Sequence, residues 1–235
     1  VAGLILKEQG HEVIGVHMTN WDPREEGADA ANIAPRARAA CIEADLKDAK
    51  RVCEHLDMPF HHTSFEKDYW NLVFQEMVDG YESGITPNPD VLCNRHIKFG
   101  ALLHHATTDL GCDFLATGHF ARVSAQPGAS PMLLRAADPH KDQTYFLSRL
   151  QNSVLGQIMF PLGDYTKGEV RDIALNAGLH NHDRPSTTGI CMVGPRKKFA
   201  EFLENYLESR PGHFVDVETG AEVGEHNGYM FTRPD

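Results

Sequence analysis

The sequence predicts an α/β fold: a mainly parallel sheet with helices on both faces, followed by the start of a small β domain. Three observations carry that reading. Short apolar runs alternate with stretches of helical spacing, glycines close those stretches, and after Pro211-Gly212 the pattern changes to alternate-residue hydrophobicity. Residues 1–10 read as the middle and end of a helix stopped by Gly10. With no Met or cap residue ahead of Val1, the chain is expected to lack an N-terminal portion. Glu12 to Met18 reads as a buried strand, and residues 22–40, with Pro23, Gly27, Pro35 and many alanines, as a surface insertion. Ala44 to Leu56 has helical spacing, Pro59 to Thr63 is a short strand, and Glu66 to Tyr81 is a second helix. The polar turn Asn88-Pro89-Asp90 precedes Cys93, Arg95 to Leu110 is a third helix ended by Gly111, and Cys112 to Thr117 is the next strand. Helices at Lys167 to Ala177 and Phe199 to Leu207 complete a first domain over 1–208. His213 to Val217, the turn at Glu218-Thr219-Gly220 and a second alternating run open a β domain over 209–235.

Composition narrows the function. With 235 residues and 41% hydrophobic content the chain can bury a core. No apolar run approaches the roughly 20 residues that span a bilayer, so no membrane partner is expected. Five cysteines at irregular spacing oppose a secreted disulfide framework, and with no CxxC pair a zinc ribbon is unsupported and no metal ligand set is expected. A formal net charge of −11 opposes nonspecific nucleic-acid binding by the chain as a whole, while leaving room for a local basic patch. The densest basic run is Gly194-Pro195-Arg196-Lys197-Lys198, and its ordinary reading is a solvated helix start.

In parallel α/β sheets ligands lie at the carboxyl ends of strands, which selects Met18 and Thr117-Gly118-His119. Core packing is the plain alternative for Met18, and a simple turn for Gly118. Two thiols stand out because cations and backbone turns surround them. Cys93 is followed by Arg95, His96 and Lys98 and precedes the expected helix. Cys191 follows Ser186-Thr187-Thr188-Gly189 and has Arg196 to Lys198 close behind. Cys41, Cys53 and Cys112 fall in helix or strand patterns and read as buried structural thiols.

At these residues the chain resembles the tRNA-specific 2-thiouridylase family. The resemblance rests on Val13-Ile14-Gly15-Val16 with Met18 and Trp21, on Thr86 to Asn94 with Ile97-Lys98-Phe99, on Ala116 to Arg122, on Lys141-Asp142-Gln143, and on Gly189-Ile190-Cys191, in the family's order. It implies an adenine-nucleotide α-hydrolase-like, Rossmann-type domain that uses ATP, with Mg2+, to adenylate the wobble uridine of certain tRNAs and exchange its 2-oxygen for sulfur. It further implies that Cys191 carries the sulfur as a persulfide delivered by a donor or relay protein, and that Cys93 is the partner thiol that resolves it. Asn88, Pro89 and Asp90 would hold the target base, Lys141, Asp142 and Gln143 would contact tRNA, and Met18 and Gly118 would bind ATP.

The family's pyrophosphate loop, Ser-Gly-Gly-Val-Asp-Ser, falls before Val1, and its later domains fall beyond Asp235. The chain as given is therefore expected to bind adenine weakly, and a catalytically inactive form that binds tRNA or a sulfur-relay partner is the alternative. A ligase of another type, such as an amidating enzyme, would have no use for two thiols. The insertion after Trp21 and Ala136-Ala137-Asp138 favour a mitochondrial location over the bacterial cytoplasm.

Overall fold

The computed structural model describes residues 1–21, 35–124, 128–184 and 199–231. Helix α1 (Ala2–Glu8) stops where expected, with Gly10 in the left-handed region at φ 89°. Strand β1 (Gly15–Thr19) starts later than the apolar run suggests, and Gly15 lies against Cys53 so closely that a Cβ there would sit 2.2 Å from Sγ. Helix α2 (Pro35–His55) then crosses to β2 (Phe60–Ser64), which pairs parallel to β1 with Gly15 opposite Phe60. The part of the expected insertion from Pro35 onward is therefore helix. Alanine is the strongest helix former, and proline at the first helical position gives up only an amide that has no partner there.

The second helix is α3 (Glu66–Tyr69), a π-helical segment (Trp70–Phe74) and α4 (Gln75–Glu82) in succession. The third begins earlier than expected. It runs as α5 (Pro89–Cys93), a π-helical segment (Asn94–Leu102) and α6 (Leu103–Thr108). Strand β3 (Leu115–Ala116) is shorter than the run Cys112 to Thr117, because the Cys112 amide closes α6 on the Ala106 carbonyl at 2.9 Å instead of joining a ladder. It pairs parallel to β6 (Ile158–Met159). Between them the antiparallel hairpin of β4 (Arg122–Ser124) and β5 (Met132–Leu134) is an element the sequence pattern does not yield.

Thr166 and Glu169 form a reciprocal capping box on α7 (Lys167–Asn176), which ends at Gly178 with φ 66°. Helix α8 (Phe199–Leu203) is followed by the antiparallel pair β7 (Gly212–Val215) and β8 (Glu222–His226). The parallel pairing thus occurs as two separate two-stranded units among the described residues. Two apolar clusters flank the helix run from Pro89 to Thr108. One holds Cys93 and Ile97 with Trp21, Phe74, Met77 and Phe202, and the other holds Phe99 and Leu103 with Leu115, Ile158 and Phe160.

Candidate functional site

The Cys93 segment is built by a helix cap. Asn88 is extended (φ −95°, ψ 109°), and its side-chain oxygen accepts hydrogen bonds from the amides of Asp90 at 3.0 Å and Val91 at 3.4 Å. Proline at the next position supplies a fixed helical φ. Asn88-Pro89-Asp90 is therefore a rigid turn, as expected, and also the first turn of a helix. Cys93 does not precede that helix. It is the last residue of α5, 3% exposed within the aromatic cluster. Asn88 takes up the Asp90 and Val91 amides at the helix start, so they are not directed at the thiol. Asn94 beside it is 2% exposed and donates from Nδ2 to the Phe146 carbonyl at 3.0 Å, while its buried Oδ1 has no hydrogen-bond partner among the described residues.

Lys98 links this helix to the end of β3. Burial raises the Asp90 carboxyl above the ordinary carboxylate range, and the Lys98 ammonium opposes that shift. Burial also lowers the His119 imidazole to about 3, and Lys98 adds to the lowering. His119 is packed against Phe99 and Phe160, with ring centroids at 5.8 and 5.9 Å, and its Nδ1 shares a 2.7 Å hydrogen bond with Thr117 Oγ1. At neutral pH this imidazole is uncharged, with one nitrogen to donate and one to accept. The strand-end rule already selects His119, but spacing alone does not make site residues of Asn94 and Lys98. Their motifs are visible in the sequence, but burial and charge partners come from tertiary packing.

The two expected nucleotide residues differ. Met18 packs against both apolar clusters from the end of β1, so core packing, the plain alternative, is satisfied there. Gly118 is exposed, and a Cβ on it would meet nothing nearer than Leu162 Cδ1 at 3.7 Å. The backbone at Gly118 is open for a ligand to approach. In the segment after β5, Lys141 is exposed. Asp142 is held to about 2 against its burial, by hydrogen bonds from the Thr144 hydroxyl and amide and from Arg135 at 2.8 Å. Gln143 pairs with Phe120 twice: its Oε1 accepts from the Phe120 amide and its own amide donates to the Phe120 carbonyl, both at 2.9 Å. The segment 141–143 is thereby tied to the Gly118-His119 loop.

Cys191, with its glycine-flanked and basic surroundings, lies outside the described residues. Cys53 is buried, and burial followed by the Glu54 charge raises its thiol, as suits a structural cysteine. Cys112 is only half-buried, a correction to its expected burial: its position after the helix end keeps it near the surface. The side chain of Cys41, within α2, is not among those described. Among the described residues no helix is long and apolar enough to cross a membrane, and no cluster of three or more His, Cys, Asp or Glu side chains could hold a metal.

Comparison with known proteins agrees across nearly the whole chain. The family model described as the tRNA methyl transferase HUP domain matches residues 1–195, and that described as the tRNA methyl transferase PRC-barrel domain matches residues 200–232. The chain is 45% identical over 231 residues to the tRNA-specific 2-thiouridylase MnmA of Hydrogenovibrio crunogenus, covering 98% of this chain and 58% of that protein. It is 44% identical over 235 residues to the protein of the same name from Malacoplasma penetrans, covering 98% and 63%, and 46% identical over 231 residues to that of Streptococcus thermophilus, covering 98% and 58%. The chain spans about three fifths of the length of these curated relatives.

Proposed function

Because the chain belongs to the tRNA methyl transferase HUP-domain family, with its Rossmann-like adenine-nucleotide α-hydrolase fold, we propose that it is the catalytic part of a tRNA 2-thiouridylase. The observation that carries the reading is the packing of the Cys93 helix run against the Gly118 loop: Phe99 lies against the His119 ring at 5.8 Å between centroids, and the Lys98 charge bears on both Asp90 and His119. A capped, thiol-bearing helix thus adjoins a strand end whose glycine is exposed.

The uridine 2-carbonyl is a poor electrophile until its oxygen attacks the α-phosphate of ATP, releasing pyrophosphate and making AMP the leaving group. Gly118 and Met18, each near the carboxyl end of a parallel strand, are the residues we assign to holding the nucleotide. A persulfide sulfur on Cys191 then adds at C2 as AMP departs. Attack by the Cys93 thiolate on Cys191 Sγ breaks the sulfur–sulfur bond, leaves the sulfur on the base and closes a Cys93–Cys191 disulfide. Asn88 and Pro89 fix the helix start, which sets Asp90 and its half-desolvated carboxyl toward a flipped base edge. Lys141 and Gln143 supply polar groups for the RNA at the neighbouring loop.

We place the boundary of this catalytic part at 208/209. Phe202, Leu203 and Leu207 pack in the same cluster as Cys93, and the exposed β7–β8 hairpin begins only at Gly212. The test is formation of 2-thiouridine in tRNA by the protein at the full length of its relatives, given ATP and a persulfide donor. Cys191→Ser abolishes the product while leaving ATP-dependent pyrophosphate release intact. Unchanged thiolation in that variant would remove the sulfur-carrier role.

A further inference from the structure

The helix run that carries Cys93 also forms one wall of a separate hollow. Arg95, His96 and Phe99 face Leu150, Gln151 and Val154 across a cavity of about 300 Å3. That volume lies at the small end of ligand pockets, and the lining is their usual mixture of apolar wall and a few polar groups. Its one cation, Arg95, is uncommitted. Arg122, Arg135, Arg149, Arg184 and Arg210 each rest on a carboxylate, and Arg51 and Arg171 are exposed, whereas the side chains of half-buried Arg95 and its neighbour His96 make no ion pair or hydrogen bond among the described residues. The nearby carboxylate of Glu76 already lies 3.5 Å from the Arg149 guanidinium. In a chain with 33 acidic and 22 basic residues, a half-buried guanidinium at a cavity with no carboxylate paired to it among the described residues is a specific arrangement.

We propose that this cavity is a nucleotide subsite for bound RNA, one phosphate resting on Arg95 and His96, the ribose against Leu150 and Val154, and Gln151 hydrogen-bonding the sugar or base. The proposal rests on the reading of this chain as a tRNA-acting enzyme. A guanidinium fork matches two phosphate oxygens, and a neutral imidazole contributes one further donor. His96 is kept neutral by burial first, then by Arg95 and Arg149, with Glu76 opposing. A bound phosphate adds a negative charge facing the ring and draws its titration upward.

Two arms test the site and separate its sources. In the first, labelled tRNA is titrated into the chain over a range of salt. Arg95→Ala weakens binding about ten-fold and lowers the slope of log affinity against log salt by about one. Gln151→Glu, on an exposed side chain that the fold does not need, weakens it by as much or more. In the second, uridine 5′-monophosphate or inorganic phosphate is added while the His96 ring is followed by NMR, and its pKa rises in the parent but not in Arg95→Ala. Parent-like tRNA affinity and salt slope in both variants overturn the proposal while leaving the tRNA reading standing. Movement of His96 by free nucleotide in a chain that binds no tRNA overturns both, and makes the cavity a free-nucleotide site.

Discussion

The carboxyl ends of β1 and β3 hold equivalent places in two parallel strand pairs, yet one is sealed and the other open. Beyond β1, Asn20 and Trp21 are buried, and Trp21 stacks on Trp70 at 5.6 Å between centroids and packs on Phe74 at 5.0 Å. Met18 lies beneath, shared by both clusters. Beyond β3 the chain offers an exposed glycine and a largely desolvated, neutral histidine. Topology assigns both ends to the ligand side. Side-chain volume then makes the first a floor and the second a mouth.

Removing the floor has the largest effect. Trp21→Ala leaves a cavity among Trp70, Phe74 and Phe202 and costs about 3–5 kcal/mol, read from the shift in a urea unfolding midpoint. A loss below about 1 kcal/mol would show that the end of β1 is not closed by packing.

The mouth responds to protons instead. His119 titrates at about 3 in the folded chain against 6.5 unfolded, so below pH 6.5 the unfolded state binds the extra proton. Stability falls by about 1.4 kcal/mol for each pH unit between 6.5 and about 3, and this loss ends below the folded value. Urea midpoints at pH 7, 6 and 5 should show the slope, and His119→Gln should flatten it. Identical slopes in the two proteins would assign the acid sensitivity elsewhere.

The smallest stability change is the most informative about ligand. Gly15, Gly80 and Gly163 each have a neighbour within 2.3 Å of a would-be Cβ, so the fold itself requires glycine there. Gly118 has none. Gly118→Ala therefore changes unfolding free energy by less than about 1 kcal/mol, while ATP affinity, measured by calorimetry, falls about ten-fold because the methyl occupies the approach to the backbone. Unaltered affinity would make Gly118 an ordinary turn residue.

Much of this contrast is legible in the residues. Alternating strand and helix patterns give the parallel pairs, and the glycine stops after α1, α6 and α7 stand where they are expected because a left-handed residue has a local cause. Asn88-Pro89 reads from sequence only as a turn, since the same two residues serve turns and helix starts, and choosing between them depends on how Val91 to Asn94 pack. Trp21 is visible as a family residue, but its role as a plug depends on Trp70, Phe74 and Phe202, which are distant in sequence. The charge relation among Asp90, Lys98 and His119 is likewise invisible to spacing. Cys53 is legible as structural because helix periodicity already places it inward.

The Gln143 side chain carries one further implication, for the amino-acid exchanges its position can accept. Its oxygen is committed to the Phe120 amide, and among the described residues its Nε2 makes no hydrogen bond. Glutamate would supply the same oxygen at the same reach, so the loop alone does not discriminate between an amide and an acid here. Codons for the two differ by a single base, and the exchange is frequently sampled by mutation. Selection for glutamine at this position would then act through the uncommitted NH2 and the absence of a negative charge, both of which concern what docks on the loop.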